Sequence, residues 1–267
     1  MLFIMYGLLG SMSGLLSGLF GIGGGIILVP LLYWGFGLQG FAKEQLMIMA
    51  VATSLATIVP TSLSSGRTHH RLGYVSWSFA RQLAPAIMLG ALCGASVVHV
   101  LPVALFKLLV AGFQITVAIT LLASKTHTSQ STPPSGDAWN HLAGWITGLL
   151  SSLVGIGGGT LSIPYMLYRG LTARQAVATS SVCGFPIALI SSLVYGVTGW
   201  NQPNLPEWNL GYIHLPAFLG VTLASVTTAS IGAWLAHRLP TATLKRGLGL
   251  MVGIVGTKLL LDTLLPG

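Results

Sequence analysis

The chain has 267 residues, of which 53 % are hydrophobic and 6 % charged, with twelve Lys and Arg against four Asp and Glu and a net charge of +8. Soluble domains carry charge on about a quarter of their residues, so a surface this poor in charge belongs in lipid, and the chain reads as an all-α polytopic membrane protein with the bilayer as its first partner. Its basic residues are scattered over helix ends and short loops without forming a run, which makes them topology signals and argues against nucleic acid as a partner.

The first predicted span, Leu2 to Phe20, has no Lys or Arg before it. Because the motif that follows it recurs inside the chain, it reads as retained structure and not as a cleaved signal. That motif is Gly21-Ile22-Gly23-Gly24-Gly25-Ile26-Ile27-Leu28-Val29-Pro30, which interrupts the helix and restarts it near Ile26. The second span, Gln45 to Ser65, carries Ala50-Val51-Ala52-Thr53-Ser54 and then Pro60, and a basic loop follows at Arg67-Thr68-His69-His70-Arg71. Val75 to Leu101 contains Arg81 and Cys93, and Val103 to Ala123 completes the first half. Ser124 to Asn140 is polar and reads as an extramembrane linker, dividing the chain into a repeat at 1–124, a linker at 125–138 and a second repeat at 139–267.

The second half repeats the first. Gly155-Ile156-Gly157-Gly158-Gly159 leads to Pro164 as Gly21 to Gly25 leads to Pro30, at an offset of 134. Ala176-Val177-Ala178-Thr179-Ser180 with Pro186 repeats the second block inside the span Ala176 to Val197. Gly211-Tyr212, His237, Leu239-Pro240 and Lys245 match Gly73-Tyr74, His99, Leu101-Pro102 and Lys107 at one offset of 138. Three blocks in the same order in both halves identify an internal duplication. The remaining predicted spans are Ile213 to Ala236 and Gly247 to Leu265, with an acidic loop at Asn201 to Asn209 before them.

If each glycine-broken segment returns to its own side, each half crosses an odd number of times and the halves are inverted. Eight Lys and Arg then fall on the inner side against two outside. If the broken segment crosses, the halves are parallel and the best division is seven to three. The basic-inside rule favours the inverted arrangement, which places Arg67 to Arg71, the linker and Arg174 inside and Asn201 to Asn209 outside.

Broken helix in hydrocarbon is tolerated where it is buried in protein or lines a wet cavity. A helix restarting there presents free N–H groups and its positive dipole end, which suits an anion. The candidate substrate ligands are therefore Gly23, Gly24, Gly25, Gly157, Gly158 and Gly159, supported by the hydroxyls of Thr53, Ser54, Thr179 and Ser180, with Arg81 as a further cation. Close helix packing by the glycines and back-bonding by the hydroxyls are the competing readings. No carboxylate lies deep in a span, Lys258 and Asp262 are placed to pair on one helix face, and no metal or cofactor motif is present. Cys93 and Cys183 have no CxxC spacing and read as packing thiols.

The doubled G-x-G-G-G-x-x-x-x-P motif and the two A-V-A-T-S segments resemble the TauE/SafE family of membrane permeases, over nearly the whole chain except the linker. The resemblance implies a secondary transporter of the bacterial inner membrane, without a cofactor or ATP hydrolysis of its own, that moves sulfite, a sulfonate or a related small organosulfur or inorganic anion. A permease for thiosulfate or a carboxylate is the near alternative, and a membrane redox protein using Cys93 or Cys183 the distant one. Oligomeric state is not encoded in any of these features.

Overall fold

The computed structural model describes residues 2–264 except 22, 99, 124–136, 237, 239 and 240. His99, His237, Leu239-Pro240 and most of the linker fall outside them. Among the described residues ten helices run in chain order: α1 (Leu2–Phe20), α2 (Gly25–Leu38), α3 (Leu46–Arg71), α4 (Trp77–Val98), α5 (Val103–Ala123), α6 (Asp137–Val154), α7 (Gly159–Tyr168), α8 (Ala173–Thr198), α9 (Leu215–Leu235) and α10 (Thr241–Leu264). A two-stranded hairpin, β1 (Asn209–Leu210) and β2 (Ile213–His214), pairs Asn209 with His214 and Leu210 with Ile213 just before α9. Among the described residues six helices are long and apolar enough to cross a membrane, namely α1, α3, α4, α5, α8 and α9.

Two features of the sequence set the helix ends. Thr172 caps α8, its hydroxyl accepting from the Gln175 N–H while the Gln175 side chain accepts from the Thr172 N–H, so the orphan donors of the first turn are satisfied reciprocally. The segment Arg67 to Arg71, expected as a loop, is instead the last turn of α3, with His69 fully buried. Basic side chains at a helix C-terminus sit against the negative end of the dipole, which reconciles their polarity with helix.

The halves interlock through small residues. Gly10, Gly14 and Gly18 of α1 pack successively on Val221, Ser225 and Ala229 of α9, so these two helices run parallel. Gly90 and Gly94 of α4 meet Trp145 and Ser152 of α6 in the same sense, with Gly144 and Gly148 answering from α6. Without side chains at these positions the backbones approach closely, the device by which helices associate in lipid. Each seam joins one half to the other.

Two pairs of helices at matching positions of the chain, α5 with α10 and α3 with α8, run in opposite directions. Gly249, Gly253 and Gly256 of α10 touch Leu122, Ala118 and Gln114 of α5, descending as α10 ascends. In the central pair Gly66 of α3 meets Val182 of α8 while Ser62 meets Gly184. The broken segments are hairpins: Gln39, just past α2, donates to the Tyr6 hydroxyl near the start of α1 at 2.9 Å, and Tyr165 of α7 donates to Asn140 near the start of α6 at 2.7 Å. At the centre stands α3, with 83 % of its apolar window buried against 33 % for α5 and α9.

Candidate substrate site at the paired glycine breaks

Each break is a short excursion into left-handed backbone. Gly23 and Gly24 have φ of 78° and 69°, and Gly155 and Gly158 have 83° and 80°. A side chain at these angles is strained, which is why the motif is built of glycine. Gly24 and Gly158 are the N-caps of α2 and α7, and neither end has a side-chain cap, so the first-turn N–H groups at Gly25 and Gly159 have no side-chain acceptor.

The two breaks touch. A Cβ on Gly23 would lie 2.7 Å from the backbone of Gly157, and one on Gly25 would strike the Gly155 carbonyl. Ile58 of α3 and Gly184 of α8, equivalent positions of the two repeats, flank this contact, with the Gly157 carbonyl 3.2 Å from the Cβ position of Gly184. The six candidate glycines thus lie in a single region where two helix N-termini begin. There the partial positive charge of both dipoles is available to an anion.

The four candidate hydroxyls behave differently from a free donor set. Ser54 Oγ donates to the Gly155 carbonyl at 2.9 Å and Ser180 Oγ to the Gly21 carbonyl at 2.8 Å, each reaching the break of the other half. Their protons are thereby engaged in holding the breaks together. Thr53 Oγ1 accepts from the His214 backbone N–H and Thr179 Oγ1 from that of Ser76, both at 3.0 Å. Since α3 and α8 are antiparallel, these threonines lie toward opposite ends of the pair, roughly 20 Å apart along the axis. They do not share one pocket. Arg81 is exposed on α4 while its neighbour Leu83 is buried.

Two hydroxyls not singled out in the sequence lie at the second break. Ser151 Oγ, on a fully buried residue, is 3.4 Å from the Cβ position of Gly158 and has no hydrogen-bond partner, and Thr160 Oγ1 in the first turn of α7 has none either. A buried hydroxyl without a partner is costly, which makes an unsatisfied pair beside a bare helix N-terminus a place for an acceptor-rich ligand. The signal for Ser151 was present in the sequence: Ser17 stands four residues before Gly21 as Ser151 stands four before Gly155.

Comparison with known proteins gives the family. The family profile described as sulfite exporter TauE/SafE matches residues 6–259. This chain belongs to the TauE/SafE family. A "probable membrane transporter protein" of Haemophilus influenzae is 36 % identical over 258 residues, covering 95 % of this chain and 96 % of the relative. Methanocaldococcus jannaschii has one that is 28 % identical, covering 95 % and 94 %, and Bacillus subtilis YdhB is 26 % identical, covering 92 % and 96 %. No solved structure matches. The chain is accordingly a multi-pass membrane protein of a transporter family.

Within this TauE/SafE chain Lys258 and Asp262 have a structural setting. Lys258 lies 4.4 Å from the centroid of the Trp34 ring and Asp262 accepts from the Trp34 indole N–H at 3.0 Å, so the pair expected on one face of α10 converges on α2. Cys183 is buried in α8 and Cys93 is exposed on α4.

Proposed function

We propose that this TauE/SafE protein is a secondary transporter, not an enzyme, that carries a small sulfur-containing oxyanion such as sulfite or a sulfonate by alternating access. The observation that carries the reading is the meeting of the two breaks, where α2 and α7 begin without side-chain caps beside the unpartnered Ser151 and Thr160 hydroxyls. An oxyanion offers acceptors on every face and negative charge for both dipole ends. The antiparallel contacts of α3 with α8 and of α5 with α10, and the returning hairpins, support inverted halves. Rocking of one interlocked bundle against the other would expose the site alternately to each side. The Gly23 to Gly25 and Gly157 to Gly159 amides, with Ser151 and Thr160, are the proposed ligands. Ser54 and Ser180 support the breaks from behind, while Thr53 and Thr179 hold the His214 and Ser76 backbone at the two ends of the α3–α8 pair.

Binding of sulfite, sulfate, thiosulfate, sulfoacetate and acetate to the purified protein tests the substrate class. Sulfite or sulfoacetate should bind, and acetate should bind more weakly. Selective acetate binding would move the carboxylate alternative forward. Flux in proteoliposomes tests transport itself, and a protein that binds anions but moves none would refute the permease reading.

A further inference from the structure

The hairpin before α9 brings a histidine into the bundle. Pairing of β1 with β2, together with donation from the Tyr212 N–H to the Tyr195 carbonyl, draws residues 212–214 inward, and His214 is 5 % exposed. Its ring is enclosed edge-on by Phe41 at 5.2 Å, Phe36 at 5.3 Å and Tyr6 at 6.4 Å between centroids. In front of it lies a cavity of about 280 Å³ lined by Phe3, Tyr6, Gln39, Phe41 and Glu207 among others. His214 Nδ1 is buried and has no hydrogen-bond partner. Burial in this aromatic setting pushes the imidazole down to about 4 from 6.5.

The other half makes the same backbone contact without a ring. Ser76 occupies the equivalent position, 138 residues earlier, and its N–H donates to Thr179 as the His214 N–H donates to Thr53. The backbone contact is common to both halves, whereas the imidazole is an addition to the second. Its location also ties it to the candidate site: Thr53, which receives the His214 N–H, precedes Ser54, which holds the Gly155 carbonyl at the second break. Among the described residues the other buried histidine, His69, has its Nε2 engaged with the Gly18 carbonyl at 3.2 Å.

We propose that His214 is a proton-binding site at a second station of the anion's path, apart from the glycine breaks, so that an oxyanion held in the 280 Å³ cavity and a proton on the imidazole bind together and are carried together. The proposal rests on the anion-transporter reading above. An imidazolium among Tyr6, Phe36 and Phe41 has lost its hydration, and a bound anion supplies the counter-charge that makes protonation favourable. By reciprocity the proton raises anion affinity to the same degree. The titratable groups facing the ring are the Tyr6 phenol from α1 and Glu207 from the loop before β1. The other packed elements present Phe36 from α2, Phe41 from the α2–α3 loop, Thr53 from α3 and Pro216 from α9. Glu207 is exposed, where solvent and salt screen it.

The test uses the purified full-length protein in nanodiscs at weak buffering, with a pH indicator and with thiosulfate, sulfate and methanesulfonate as probes, whose charge does not change near neutral pH. Binding should take up close to one proton per anion, and affinity should rise by up to about tenfold for each unit that the pH falls through the neutral range. His214→Gln keeps the backbone N–H and should abolish both proton uptake and pH dependence. Glu207→Gln should retain both. Binding without proton uptake, or uptake that survives in His214→Gln, overturns the proton site while leaving the anion reading intact; loss of uptake in Glu207→Gln assigns the proton to that carboxylate instead. Binding of none of the three probes, or of sulfite and sulfoacetate, overturns both readings. Should His214→Gln fail to fold, nitrogen-15 histidine spectra of the wild type read the same titration. The His214 signals must then move toward the protonated form at a higher pH when anion is added, and an unmoved titration refutes the proposal.

Discussion

The two glycine breaks share a backbone and differ in what surrounds it. Both are left-handed at Gly21 and Gly24 and at their equivalents Gly155 and Gly158, with Gly23 left-handed in the first break alone; both receive a serine hydroxyl from the opposite half, and both start a short helix without a side-chain cap. Around the first, Gly24 is pressed against the backbone of Ser13 and the helix opens with Ile26. Around the second, Gly158 faces the tip of the Ile187 side chain, and Thr160 replaces the isoleucine beside the unpartnered Ser151. Serine hydroxyls stand at both breaks, Ser13 and Ser54 at the first, whereas the buried hydroxyls without a partner, Ser151 and Thr160, stand at the second.

The largest contrast should appear on adding side chains to the N-cap glycines. At either position a residue with φ near 70° to 80° carries strain of about 1–2 kcal/mol. At Gly24 the clash is with the Ser13 main chain, which cannot swing away, so overpacking adds about 1–3 kcal/mol. Gly24→Val and Gly158→Val should both abolish flux, with thermal unfolding in detergent showing the greater loss for Gly24→Val. Equal loss would mean that the Ser13 contact relaxes freely, and retention of flux in both would make the glycines packing spacers.

The next contrast concerns the backing threonines. Thr53→Val leaves the His214 N–H without an acceptor in a buried place, a cost of about 1–3 kcal/mol. Thr179→Val does the same to Ser76, which is half-buried and can turn to water, so the loss should stay below about 1 kcal/mol. Denaturant or thermal titration of the two variants ranks them, and the opposite order would show that the ends of the α3–α8 pair are not hydrated as their burial implies.

Much of this architecture was written in the sequence because it depends on local spacing. The glycine motif and the helix-length apolar runs are each read within a few tens of residues, the offsets of 126 to 138 residues come from laying one half on the other, and the breaks they locate are the ones that meet. What could not be read is what each polar group touches. Ser54 and Ser180 stand in their motif as donors free for a ligand, yet their acceptors lie 101 and 159 residues away, on the opposite break. The His214 cavity draws its walls from α1, the end of α2 and the loop before β1, so no window of sequence contains it. Arg67 to Arg71 misled in the other direction, since polarity suggests a loop wherever a helix happens to end in water.

A smaller effect distinguishes the second break from the first by binding alone. Ser151→Ala and Thr160→Val remove hydroxyls that have no partner in the protein, so stability should change little. If they bond the anion, each should weaken its affinity by about five- to thirty-fold, equivalent to about 1–2 kcal/mol. Ser17→Ala, the equivalent change at the first break, should weaken it less. Isothermal titration with sulfite measures all three, and a first-half variant that weakens binding more than Ser151→Ala would reverse the assignment of the polar site.

The smallest expected effect comes from making the halves more alike at Cys183. Its counterpart 126 residues earlier is Thr57, whose hydroxyl donates to the Ser54 carbonyl at 2.7 Å. A threonine at 183 would find the equivalent carbonyl, Ser180, one turn back on its own helix, so the new hydroxyl is satisfied locally. The side chain is buried, but threonine is close to cysteine in size, and the backbone there is already helical. Cys183→Thr should therefore shift stability by no more than about 1 kcal/mol and leave flux within twofold of the parent. Flux measured beside the thermal midpoint separates packing from chemistry. A folded Cys183→Thr protein without flux would show that the thiol reacts during the cycle, and the contrast between the halves would then rest on sulfur chemistry at Cys183 and not on the hydroxyls of the second break.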